Sequence, residues 1–260
     1  MTSQAVFVRD GDHFMATDLA LGPWAPGALH GGAPAALLAH AFLAAAPSAQ
    51  MRPARITYEF VRPVPLGPLG VRVEAVRPGR RITLLDGFLT DPEGVEVARA
   101  RALLMVAAEV DAGTVTPTPF PGPEAAAEND WPQERPMFAT HAMDIRFVEG
   151  RFRELGPATA WFRLRQPLIA GEPVSGVERL TAAADFGNGI ASVLSWDEHT
   201  FINPDLTVYV EREPVGEWVA LQSQMRVTQG SVAMAESVLW DERGRIGRAI
   251  QGLLVGPRAT

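Results

Sequence analysis

The sequence predicts an α+β protein whose fold is written twice, and three observations predict it. Residues 56–106 lie over residues 206–256 at a constant offset of 150, without a gap. Thr57 meets Thr207, Arg62 meets Arg212, Leu89 meets Leu239, Asp91 meets Asp241, Gly94 meets Gly244, and Leu103-Leu104 meets Leu253-Leu254. Only seven of the 51 positions are identical, so the weight rests on turn residues and the closing strand falling into register together, as duplication requires. Each copy also opens with a helix candidate followed by four strand candidates, and a proline-rich stretch separates the copies. The copies differ where Arg101 faces Gln251, Pro53 faces Asn203 and Ala35 faces Asp185. That asymmetry is where function is sought.

The first helix candidate is Ala33–Ala46, introduced by His30-Gly31-Gly32. Pro34 suits a first helical turn and Pro47 follows the end of the run. A helix apolar nearly all round is normally buried, here within a curved sheet. The second begins at Ser175, which forms an S-x-x-E capping box with Glu178. Its apolar stripe runs through Val177, Leu180, Ala184, Gly187, Ala191 and Leu194 at helical spacing. Strands are predicted at Ile56–Arg62, Gly70–Val76, Arg81–Thr90 and Val95–Ala107, then at Leu206–Arg212, Trp218–Thr228, Ser231–Trp240 and Gly244–Val255. The turns Asp91-Pro92-Glu93-Gly94 and Asp241-Glu242-Arg243-Gly244 join long hairpin arms. Single strands at Val6–Ala16 and Arg153–Arg163 precede the helices. The domain organisation is therefore 1–110, a linker at 111–140, and 141–260. The linker region carries Pro117, Pro119, Pro121, Pro123, Pro132 and Pro136 and reads as an extended connector that cannot continue a sheet.

Composition narrows the function classes. The net charge of −7 argues against a nucleic-acid partner, which requires a basic face. With no cysteine, thiol nucleophiles, disulfides and Cys-based metal sites are excluded. Ala33–Pro47 is too short to span a bilayer, which needs about 20 residues, and Met1–Asp12 has no signal-peptide pattern. A soluble cytoplasmic protein is the expectation. His13, His141 and His199 show no metal-ligand spacing, and neither a G-x-S-x-G elbow nor a P-loop occurs. Arg77-Pro78-Gly79-Arg80-Arg81 reads as a charged hairpin turn, with phosphate contact as the minority reading.

One helix followed by a long antiparallel sheet, duplicated in a single chain, resembles the double hotdog fold of the type II acyl-CoA thioesterases and their relatives. The resemblance covers nearly the whole chain and is carried by Ala182–Asp185, by Asn203-Pro204-Asp205-Leu206-Thr207-Val208 running to Arg212 and Glu217-Trp218, and by Ala249-Ile250-Gln251-Gly252. It implies an aspartate, a hydroxyl residue and a glutamine that position and activate a water: here Asp185, Asn203 and Gln251. Asn203 departs from the usual threonine or serine, although an amide also offers a donor and an acceptor. Thr200 and Thr207 are nearby substitutes. His30-Gly31-Gly32 is similar to the tripeptide that opens the central helix in single hotdog thioesterases, where a glycine amide polarises the thioester carbonyl. A helix start with free N–H groups can do this. The acid that those relatives place about seven residues later is absent, with Ala39 there and His40 beside it.

Each candidate has a plainer reading. Asp185 lies in a row with Thr181, Asn188 and Ser192 that, alone, is a solvated stripe. Gln251 can face outward by strand alternation, and His30-Gly31-Gly32 can be a tight turn. Together they lead to an expected acyl-CoA thioesterase in which Gly32 of the first copy faces Asp185 of the second. Coenzyme A enters as part of the substrate, with no other cofactor and no metal, and a homodimer or higher oligomer of double hotdogs is left open. The alternatives are an enoyl-CoA hydratase, disfavoured because the second helix has no histidine to pair with the aspartate, and a non-catalytic acyl-CoA binding protein.

Overall fold

The computed structural model describes residues 5–108, 120–128 and 135–258. Its strands and helices run β1 Phe7–Asp10, β2 His13–Ala16, α1 Gly32–Ala44, β3 Met51–Glu59, β4 Pro68–Arg77, β5 Ile82–Thr90, β6 Glu96–Val106, β7 Ala127–Glu128, β8 Met143–Glu149, β9 Ala158–Leu164, α2 Gly176–Ala184, α3 Gly187–Ile190, β10 His199–Ile202, β11 Asp205–Val210, β12 Val219–Val227, β13 Val232–Asp241 and β14 Gly244–Pro257. The strands form one antiparallel sheet in the order β1-β2-β4-β5-β6-β3-β11-β14-β13-β12-β9-β8-β7, with β10 pairing beside it on β14.

The centre of that sheet is the junction of the two repeats. There β3 pairs with β11, and Thr57 sits directly opposite Thr207, its counterpart at offset 150. The Thr207 hydroxyl lies 3.3 Å from that of Thr57. Ile56 faces Val208 and Tyr58 faces Leu206, so each repeat meets the other through the same strand in reverse order. Pairing here removes what would be an open edge on each half.

One face of the sheet wraps the helices. α1 buries Leu37, Leu38 and Phe42 against Tyr58, Ile56, Leu69 and Leu89 in a single core. Its many alanines let α2 approach closely. The helices are cross-linked by His40 of α1, whose Nδ1 is 2.8 Å from Glu178 Oε1 on α2. Glu178 also closes the expected capping box with Ser175.

Several expectations are corrected. Val6–Ala16 is a hairpin, β1 and β2, because the chain turns at Gly11-Asp12. β8 and β10 are additional strands; β8 alternates Met143, Ile145 and Phe147 inward, and β9 starts only at Ala158. The second helix does not run to Leu194: α2 ends at Ala184, and α3 follows after Asp185 and Phe186. The connector does join the sheet, since β7 pairs with β8. It also packs on the second repeat: Phe120 stacks on Trp240 at 4.3 Å, and the Trp161 indole donates to the Pro121 carbonyl. Pro117, Pro119 and Pro132 lie outside the described residues.

The offset itself also changes. The bulge pairs Leu89 with Ala98 in one repeat and Leu239 with Gly247 in the other, so the repeats are related by 149 beyond the turn. The structural counterpart of Gln251 is therefore Ala102, not Arg101. Arg101 points outward and makes a bidentate contact with Asp86, 2.7 Å for each bond.

The His40–Glu178 cross-link gives a pH prediction. Burial works against the charged carboxyl of Glu178, but hydrogen bonds from His40 and from the Ser175 amide and hydroxyl outweigh it and hold its pKa below the usual glutamate value. A depressed folded pKa contributes stability above the unfolded value of about 4.3 and loses it as pH falls through the lower folded value. Glu178→Gln should lower stability by about 1–3 kcal/mol at pH 7. Urea unfolding should show this deficit shrinking as the pH is lowered below about 4.

Candidate active site

The site forms where α1 begins and α2 ends. Asp185 caps the C-terminus of α2, and the chain descends through Phe186 into α3. A Cβ at Gly187 would lie 2.7 Å from Ser237 Oγ and 3.0 Å from Gln251 Oε1, so only glycine lets the backbone come this close to the sheet. The Asp185 carboxylate faces the start of α1 in the other repeat, with Oδ2 3.1 Å from His30 Nδ1. Thr181, Asp185, Asn188 and Ser192 are all buried, which removes the solvated-stripe reading.

Asp185 is 5% exposed and is held on both oxygens. Asn203 Nδ2 donates to its Oδ1 at 2.8 Å, and Gln251 Nε2 donates to the same oxygen at 3.3 Å. Gln251 Nε2 also reaches the Asp185 carbonyl at 3.2 Å, while its Oε1 accepts from the Asn188 amide at 3.1 Å. Gln251 faces inward at 2% exposure, as the corrected register requires. Asn203 is anchored through a second bond from Nδ2 to the Asp205 carbonyl at 3.2 Å. The Asp205 carboxylate accepts in turn from the Gly252 amide at 2.7 Å. The three residues singled out from sequence thus form one hydrogen-bonded unit. Thr200 and Thr207 stand elsewhere, bonded to the Gly256 carbonyl and to Thr57.

The first repeat closes the other side. His30 Nδ1 lies 3.1 Å from Asp185 Oδ2. Its ring is stacked on Phe186 at 4.3 Å and tilted against Phe138 at 5.3 Å. A Cβ at Gly31 would sit 2.7 Å from Asp185 Oδ2, and one at Gly32 would collide with the Ala182 carbonyl. The glycines are therefore needed for the approach of α1 to α2. The Gly32 amide nitrogen lies 3.1 Å from His30 Nδ1, whereas the Gly31 amide makes no hydrogen bond among the described residues.

Beside this unit is a cavity of about 60 Å³ lined by Trp24, His30, Gly31, Asp185, Asn203 and Trp196, among others. Trp24 and Trp196 stack face to face, 4.9 Å apart and 7° from parallel, and both edge against Phe201. These aromatic walls were not anticipated. Lone tryptophans in loops carry no periodic signal, and their partners are distant in sequence. Gln251 does not line the cavity; it braces Asp185 from behind.

The described halves belong to a hotdog fold: similar structures include a protein described as a thioesterase from Novosphingobium aromaticivorans DSM 12444 (20% identity, 96% of this chain and 98% of that one, TM-score 0.73). Another is a hot dog fold protein of unknown function from Alicyclobacillus acidocaldarius (16% identity, 98% and 96% covered, TM-score 0.74). A third is an acyl-CoA thioesterase II from Mycobacterium marinum (15% identity, 93% and 97% covered, TM-score 0.69). Residues 20–105 match the acyl-CoA thioesterase N-terminal domain and residues 122–255 the acyl-CoA thioesterase C-terminal domain. The chain belongs to that acyl-CoA thioesterase family. No curated protein matches it. Among the described residues, no helix is long and apolar enough to cross a membrane.

The tight packing at the helix junction makes Gly32→Ala a sharp test of this geometry. The added methyl group has backbone on one side and the Phe138 ring on the other, and overpacking of this kind costs about 1–3 kcal/mol. Chemical denaturation should show that loss, while Gly94→Ala, at an open turn, should register only its own backbone strain.

Proposed function

We propose that this chain is a double hotdog enzyme that hydrolyses an acyl-CoA thioester to the free acid and coenzyme A, with Asp185 as general base. The observation that carries the reading is a buried carboxylate that borders a cavity and has one oxygen fully occupied. Oδ1 already accepts two amide hydrogens, from Asn203 and Gln251. Among the described residues Oδ2 meets only His30, which leaves it a lone pair for a water. The side-chain oxygen of Asn203, whose nitrogen is spent on Asp185, can take the same water's second hydrogen. In this role Asn203 serves where relatives have a hydroxyl residue, and Gln251 positions the base rather than the water.

The water oxygen attacks the thioester carbonyl while its proton passes to Asp185. The carbonyl oxygen, now carrying the negative charge, sits at the start of α1, where the Gly31 amide, without a partner among the described residues, and the positive end of the helix favour it. Collapse of the intermediate breaks the C–S bond, and the departing thiolate receives the proton from Asp185. No cofactor beyond the coenzyme A of the substrate is needed. The second repeat supplies the polar trio, while Ala102 and Pro53 stand at the related positions of the first, so the reading has one site per chain. A cavity of about 60 Å³ has room for a water and a short acyl head. A cytoplasmic setting in fatty-acid metabolism is part of this proposal.

One observation favours a second reading. The missing histidine that counted against an enoyl-CoA hydratase is supplied from the other repeat, since His30 reaches Asp185 across the junction. The two are separated by one experiment. Free-thiol release is followed across an acyl-CoA series, together with hydration of a crotonyl-type CoA. The thioesterase releases thiol, and Asp185→Asn lowers the rate about 100- to 10,000-fold with the fold intact. Hydration without thiol release establishes the hydratase instead, and a folded, fully active Asp185→Asn protein removes Asp185 from the mechanism. Tight binding with neither reaction leaves an acyl-CoA binding protein.

A further inference from the structure

We propose that His30, as its Nδ1–H tautomer, is a positioning residue for Asp185, and that the same proton releases the Gly32 amide from the ring. The inference rests on the hydrolase reading for its functional part and on geometry alone for the rest. His30 Nδ1 has two neighbours at 3.1 Å, the Asp185 carboxylate and the Gly32 N–H. A ring nitrogen carries either a proton or a lone pair, so it cannot donate to one and accept from the other. With Asp185 ionised, a bare Nδ1 sets two lone pairs against each other in a buried site. The proton therefore belongs on Nδ1 while Asp185 is charged, and the Gly32 amide is then left without its acceptor. The proton that fixes the base thus frees a second N–H, beside that of Gly31, at the start of α1.

The surroundings confine this proton to the pair. Phe186 stacks on the ring at 4.3 Å and Phe138 tilts against it at 5.3 Å, the two phenylalanines being 6.0 Å from each other, so its orientation is set by packing. The other ionisable groups on the packed elements are committed elsewhere. His40 of α1 bonds to Glu178, Asp205 of β11 takes the Gly252 amide, and His141, next to Phe138, contacts the Thr140 hydroxyl. Arg101 of β6 pairs with Asp86 on the outer face. His30 Nε2 makes no hydrogen bond among the described residues, which leaves the ring free to act through Nδ1.

The test compares His30→Phe, which keeps an aromatic ring in the stack but loses Nδ1, with His30→Asn, whose side-chain amide can place a donor near the same point. On whichever acyl-CoA the wild type cleaves best, His30→Phe should lower kcat about 10- to 100-fold, the effect of one hydrogen bond to a charged group, with KM changed less than about threefold. Its acidic limb should move to higher pH, because a carboxylate that loses a donor binds its proton more tightly. His30→Asn should recover most of kcat and return the limb toward wild type. Nitrogen-15 NMR of the imidazole supplies a readout independent of turnover: His30 should carry its proton on Nδ1 near pH 7 and lose that preference in Asp185→Ala. A bare Nδ1 in the wild type, an unmoved acidic limb in His30→Phe, or His30→Asn no better than His30→Phe overturns the proposal. A wild type that cleaves no acyl-CoA while showing the Nδ1–H signal leaves the pairing intact and refutes only the hydrolase reading.

Discussion

The close contact between the start of α1 and the end of α2 is the constraint on which the rest of the structure depends. It works only because Gly31 and Gly32 carry no side chain where the Asp185 carboxylate and the Ala182 carbonyl approach. That contact brings a histidine from one repeat to an aspartate of the other. Just beyond Asp185 the chain comes so close to the sheet that Gly187 has no room for a side chain beside Ser237 and Gln251. Fold and site are therefore the same packing problem. The sheet junction at Thr57 and Thr207 sets how the repeats face each other, and the helix junction turns that arrangement into a polar pocket.

The polar unit is costly to bury and is almost fully satisfied. Burying a carboxylate is unfavourable unless its oxygens are hydrogen-bonded, and Asp185 has donors on one oxygen and a histidine on the other. The bracing continues outward through Gln251 to α3 and through Asn203 to Asp205 and β14. Each group is held by a neighbour that is itself held, which is how a site keeps its geometry when the aromatic walls around it are only packed.

Much of this was legible in the sequence, for identifiable reasons. The helix starts were visible because Pro34 and the Ser175–Glu178 box are local signals, and the hairpins because Asp91–Gly94 and Asp241–Gly244 are turn sequences. The repeat aligned Thr57 with Thr207, but which strands meet at the junction appears only in the sheet pairing. The trio of Asp185, Asn203 and Gln251 came from a family resemblance, not from spacing. What failed was long-range or a matter of one residue. The connection between the hairpin arms is one residue shorter in the second repeat, with Thr90 paired to Glu96 but Trp240 to Arg245, and this shift put Arg101 opposite Gln251 where Ala102 belongs. The pairs Arg99 with Arg248 and Ala100 with Ala249 carried that signal. The break after Asp185 was hidden by apolar spacing that persists through Gly187. The approach of His30 to Asp185 had no local signature at all, because it exists only once two distant segments are packed.

The two helices are pinned at opposite ends by the same kind of contact, His30 against Asp185 and His40 against Glu178. A beam clamped at both ends can neither rock nor slide along its neighbour. Adjustment to a guest molecule must then come from the pieces outside the clamps, the loops that carry Trp24 and Trp196. Those two indoles stack on each other and edge against Phe201 at the cavity wall, so a change of side chain there can reshape the wall without touching either clamp.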